Sequence, residues 1–105
     1  EDAKAKRLRN QLEFARAFKD APDIATLRAR LAQDANDHAA RDLLGVRLLL
    51  DGDTAAALDE FLHILRTQRD WNEGQAKKRL IAAFNILDDE DLVGTYRRKM
   101  ASLLF

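Results

Sequence analysis

The feature that most constrains this chain is a set of small and aromatic residues at fixed spacing between His38 and Trp71. Leu44-Gly45 comes first, then Gly52, Ala57 and Phe61, with Leu58, Phe61, Leu62 and Leu65 at i, i+3, i+4 and i+7. Such spacing predicts two helices folded against each other about a turn at Asp51-Gly52-Asp53. Gly45 and Ala57 let the helix axes approach closely, Gly52 supplies a permissive backbone, and Phe61 fills the space between the pair. A unit of this kind cannot bury its apolar face alone, so the rest of the chain must supply similar neighbours.

The surrounding sequence reads as helices joined by short polar breaks. One helix covers about residues 2–19, with Ala5, Leu8, Leu12, Ala15 and Phe18 at helical spacing. Asp20-Ala21-Pro22-Asp23 breaks it, and Asp23 caps a second helix carrying Ile24, Leu27 and Leu31. A third runs from about His38 to Leu50 and a fourth follows Asp53. Asn72 with Gln75 has the form of a capping box, opening a fifth helix with Ala76, Leu80, Ala83, Phe84 and Leu87 on one face. Asp88-Asp89-Glu90-Asp91 places negative charge at the start of a sixth, which carries Leu92, Tyr96, Met100, Leu103 and Leu104. The expected fold is all-α, a right-handed array of about six helices in three helix-turn-helix pairs forming a single domain.

The spacing within residues 38–71 resembles the tetratricopeptide repeat (TPR), whose period is about 34 residues. Leu44, Gly45, Gly52, Ala57 and Phe61 occupy its signature positions. Four positions depart from it: Arg41 stands for the usual Trp, Leu48 for an aromatic, Ile64 for a small residue and Arg69 for Pro. The flanking stretches, about 4–37 and 72–105, fit the same period as degenerate units, as terminal repeats do when they cap a stack.

The second half carries a narrower resemblance. Arg69-Asp70-Trp71-Asn72, then Ala76, Lys78 and Leu80, and a terminus running from Tyr96 to Ser102-Leu103-Leu104-Phe105 resemble the C-terminal TPR domain of bacterial thioredoxin-like chaperedoxins, the YbbN/CnoX family. The resemblance implies an upstream thioredoxin domain in a longer protein, of which this chain would be a piece; Glu1-Asp2-Ala3-Lys4 carries no initiator Met. It also implies a cytoplasmic co-chaperone that holds unfolding clients and docks to the GroEL chaperonin. Tyr96, Arg97, Met100, Leu103, Leu104 and Phe105 are the candidate docking residues. The alternatives are a TPR scaffold in an unrelated assembly and, from another class, a nucleic-acid-binding helical domain.

Composition narrows the chemistry. The chain has no Cys, which excludes disulfides, thiolate metal sites and a cysteine nucleophile. Lys+Arg and Asp+Glu are both 18, so no net field draws it to nucleic acid or anionic lipid. Basic clusters at Lys4/Lys6/Arg7/Arg9, Lys77-Lys78-Arg79 and Arg97-Arg98-Lys99 have no interleaved aromatics for stacking bases. No apolar run approaches the roughly 20 residues of a membrane span. His38 and His63 are the only imidazoles, each with a weak neighbour four residues on, Asp42 and Thr67, so no metal site is expected. Asp88 to Asp91 lacks the ligand spacing of a calcium loop. Without a nucleophile elbow, phosphate loop or cofactor fingerprint, the expectation is a binding module with no catalytic residues and no cofactor. Trp71 is expected to pack at the junction of the fourth and fifth helices. An apolar flank on the first helix makes self-association of the isolated segment a further expectation.

Overall fold

The structure, a computed structural model, describes residues 2–105; Glu1, the first residue of the opening segment, lies outside them. Six α-helices follow one another: α1 Ala3–Asp20, α2 Ile24–Gln33, α3 His38–Leu50, α4 Thr54–Thr67, α5 Gln75–Ile86 and α6 Glu90–Leu104. A single 3-10 turn, Trp71–Glu73, separates α4 from α5, and there is no strand among the described residues.

Aspartates start most of these helices. The side chains of Asp2, Asp23, Asp37 and Asp89 accept from the backbone N–H groups of Ala5, Thr26, Ala40 and Leu92, satisfying donors that a helix start leaves unpaired. Capping draws the Asp23 and Asp37 carboxyls below their ordinary range, Asp23 through Thr26 and Asp37 through Ala40 and then Arg30. At the far end of α3 the backbone closes a Schellman motif. Gly52 N–H donates to Leu49 O and Asp53 N–H to Leu48 O, with Gly52 at φ +90.

The expected capping box at Asn72 does not form. Asn72, Glu73 and Gly74 all take positive φ, so the Asn72 side chain is not at the mouth of a helix. Helix α5 begins only at Gln75, with Gly74 as its N-cap and no side-chain cap. Asp23 and the acidic run before α6 do act at helix starts as expected, although Asp89 alone of that run is the cap.

The core is centred on α3 and α4, the most closely packed pair. Leu44, Val46, Ala57, Leu58, Phe61, Ile64 and Leu65 are all buried. Gly45 makes the pair possible: a Cβ there would lie 2.7 Å from Cζ of Phe61, whose ring is itself fully enclosed. Helix α2 packs on α3, α5 on α4, and α6 on α4.

Helix α1 breaks the expected pattern of consecutive pairs. Its main contacts are with α5 and α3, and not with α2. It runs antiparallel to α5, since Arg7 meets Asp88 and Asn10 meets Asn85. The face turned inward also shares only Phe18 with the apolar stripe that the sequence suggests. Asn10 and Phe14 are buried and Ala17 and Phe18 half-buried, whereas Leu8 and Leu12 remain 58% and 52% exposed. Two polar contacts account for the choice. Asn85 donates its amide to Asn10 at 2.9 Å, and the Arg79 guanidinium lies 5.7 Å from the Phe14 ring centre. Arg79 is in turn fixed by Asp42 of α3 in a two-bond ion pair at 2.9 and 3.0 Å. The Asp42 and Arg79 side chains are nearly enclosed, so the charges need each other in place.

The corner between α1 and α2 is held from α3. Arg47 donates to the carbonyls of Ala21 and Pro22 at 2.7 and 3.0 Å and lies 4.2 Å from the Phe18 ring centre. One side chain thereby satisfies two loop carbonyls and covers an aromatic face.

Candidate protein-interaction surfaces

The residues proposed for docking lie together on α6, but they are not equally accessible. Tyr96 is buried, and its hydroxyl donates to Asp59 of α4 at 2.7 Å, with the Ala55 carbonyl at 3.3 Å. Burial, then the Asp59 carboxylate, push its phenol up to about 12. Met100, Leu103 and Leu104 are half-buried against the core. Arg97 is exposed with its guanidinium 5.3 Å from the Phe84 ring centre, which ties α6 to α5. Phe105 is entirely exposed. Thus the terminal apolar run is divided: two leucines pack and the last aromatic projects into solvent.

The end of α6 is fixed from the α4–α5 connection. Arg69, at the position where the repeat usually has Pro, donates to the carbonyl of Leu103. Beside it, α4 and α6 enclose an open groove lined by Asp59, His63, Arg66, Lys99, Ser102 and Leu103, among others. Burial, then the Arg41 charge, depress the His63 imidazole. The Lys99 ammonium sits 4.7 Å from the Tyr96 ring centre.

The two histidines lie on different helices, His38 on α3 and His63 on α4. His38 is buried with its ring 6.1 Å from Trp71, which packs half-buried against the core at the α4–α5 junction as expected. Asp42, the residue nearest to a metal partner for His38, gives both oxygens to Arg79. No group of three or more His, Asp or Glu side chains among the described residues is arranged to hold a metal ion. Among the basic clusters, Arg79 is internal while Lys77 and Lys78 are exposed.

One surface was not legible in the sequence. A groove between α1 and α5 is lined by Lys6, Arg9, Asn10, Lys78, Ile81 and Asn85, among others, while Leu8 and Leu12 stand in a separate shallow hollow formed by α1 alone. The apolar flank expected on the first helix is present as Leu8 and Leu12, on the side of α1 turned away from Asn10 and Phe14. The alternative face through Asn10, Phe14 and Ala17 was a weak signal, because it places a polar residue in the core.

Short helices packed through small residues, with open grooves between them, define a helical-repeat module of the kind that serves protein–protein interaction. The tetratricopeptide repeat family matches residues 17–105, and the chain belongs to it. No curated protein and no solved structure matches the chain. The match starts in the last turn of α1, so most of that helix precedes the matched region. No helix among the described residues is long and apolar enough to cross a membrane.

Proposed function

We propose that this chain is the C-terminal interaction module of a cytoplasmic thioredoxin-like co-chaperone, which holds unfolding clients and docks to the GroEL chaperonin through the end of α6. The observation that carries this reading is Phe105: it is wholly exposed, next to Leu103 and Leu104, directly after a helix anchored by Tyr96. An apolar side chain held out on a fixed helix is suited to insertion into a partner's pocket. Arg97 supplies charge on the same helix, and Met100 broadens the apolar face.

The test is recovery of the chaperonin from bacterial lysate by the intact chain, by a chain ending at Ala101, and by Phe105→Ser. The intact chain is expected to retain the chaperonin and both variants to lose it. Because truncation also removes the carbonyl held by Arg69, the point variant separates docking from loss of the helix end. No recovery by the intact chain would sink the docking assignment, and equal recovery by Phe105→Ser would move the contact elsewhere. Capture of one folded partner without suppression of client aggregation would favour a TPR scaffold in a different assembly.

A further inference from the structure

We infer that α3 and α5 form a binding seat for an amphipathic helix, and that α1 is its built-in, displaceable occupant. The seat uses none of the α6 residues, so it does not rest on the chaperonin reading. Three groups fixed on α3 and α5 recognise α1. Asn85 donates to the Asn10 side chain at 2.9 Å, the Arg79 guanidinium stands 5.7 Å from the Phe14 ring centre, and Arg47 stands 4.2 Å from that of Phe18. Asn10, Phe14 and Phe18 are four residues apart, so they fall along one side of a helix. Arg79 is held in place from α3, since Asp42 takes both of its bonds at 2.9 and 3.0 Å. The seat thereby states the chemistry of its partner. It takes a helix with a hydrogen-bond acceptor at one position and aromatic rings four and eight residues later on the same side, each ring set against a guanidinium.

Little holds α1 for its length. Of its 18 residues only Asn10 and Phe14 are buried, whereas α3, with 13, buries eight. It packs mainly on α3 and α5 and not on α2, to which residues 21–23 join it, so it can swing away while α2 stays on α3. Leu8 and Leu12 remain outside the seat, and the Arg7–Asp88 pair at the outer end is exposed. Vacating the seat uncovers Asn85 and the Arg79–Asp42 pair, polar groups that water satisfies. A partner helix with the same three-point pattern therefore competes with an occupant that leaves its own leucines unused.

The probe is a fluorescent peptide with the sequence of residues 2–20, and anisotropy reads its binding to the full chain. Phe14→Ala in the chain loosens its own α1 and should tighten peptide binding by about tenfold or more, because self-occupancy lowers apparent affinity by the fraction of seats left open. Asn10→Ala loosens α1 more gently and is measured alongside, with circular dichroism confirming which chains are folded. The chain has no cysteine, so Arg7→Cys/Asp88→Cys added to a loosened chain can be joined by a short bis-maleimide, which should abolish binding. In the peptide, Phe14→Ala or Phe18→Ala should weaken binding by about tenfold or more, while Leu8→Ser/Leu12→Ser should leave it unchanged. No binding to a folded, loosened chain overturns the proposal, as does binding that survives the cross-link. Binding that follows Leu8 and Leu12 in place of Phe14, or equal uptake of a scrambled peptide, overturns it likewise. So does a stable dimer of the loosened chain that ignores the free peptide, which would make the occupant a second copy.

Discussion

At the scale of single residues, Tyr96 joins packing to a measurable titration. It is the only tyrosine, so its ionisation can be read without interference from another phenol. Removal from water disfavours the phenolate, and the Asp59 carboxylate opposes a second negative charge beside it. The folded group therefore keeps its proton up to about 12, whereas an unfolded tyrosine loses it near 10. A raised pKa means the folded state binds the proton more tightly. Its contribution is fully present below about pH 10 and is lost as pH rises toward the folded value. The urea midpoint is expected to fall across that window, with phenolate absorbance appearing late in the folded chain. Tyr96→Phe should lower stability by about 1 kcal/mol at neutral pH and remove the tyrosine-dependent part of the alkaline decline. A phenol that titrates at its ordinary value in the folded chain would contradict this account.

Between helices, the most unusual backbone is the connection from α4 to α5, where Asn72 and Glu73 have φ of 47 and 59 before Gly74 at 77. Glycine tolerates that region, and Asn visits it, but an exposed glutamate has no side-chain reason to be there. Glu73→Gly should relieve about 1–2 kcal/mol of left-handed strain. Extra freedom in the unfolded chain offsets about 0.5–1 of it, so a net gain of about 0.5–1 kcal/mol is expected as a higher urea midpoint. Glu73→Val should move the midpoint the other way. The same connection shows where sequence reading runs out. Asn72 and Gln75 have the residue types and spacing of a capping box, yet the backbone dihedrals decide whether a side chain can cap, and those are set by tertiary packing. The α3–α4 pair was legible because its determinants are local: Gly45 needs Phe61 opposite it, and Gly52 needs a turn. At the α6 terminus, Arg69 and the core draw in Leu103 and Leu104 while Phe105 stays out, a division that the apolar run alone does not specify. Of the apolar stripe on helix α1, only Phe18 packs against the core, for a physical reason. The stripe is Ala5, Leu8, Leu12, Ala15 and Phe18, but Asn10 becomes a core residue through Asn85, far along the chain, which no periodicity along one helix reveals.

On the scale of the whole molecule, the question is whether α1 belongs to the same cooperative unit as the helices it bridges. Its outer end is held by Arg7 and Asp88, an exposed pair that contributes little. Its middle depends on Phe14 and on the Asn10–Asn85 contact, and its inner end on the clasp that Arg47 makes with Ala21, Pro22 and Phe18. Phe14 is 1% exposed and is the one large side chain of α1 that is fully buried, so Phe14→Ala should cost about 3–5 kcal/mol. That loss need not be shared equally. The tightest contact of the α3–α4 pair, Gly45 against Phe61, is made between those two helices, and most of α1 precedes residues 17–105 that match the repeat family. Local opening of a weakly held helix requires less free energy than opening the whole. Hydrogen exchange of Phe14→Ala is therefore expected to show amides of Leu8 to Phe18 losing protection first and by the larger factor, with α3 and α4 retaining most of theirs. If protection instead falls by the same factor in α1, α3 and α4, then α1 is integral to the cooperative core, and its docking against α3 and α5 is a condition of the fold.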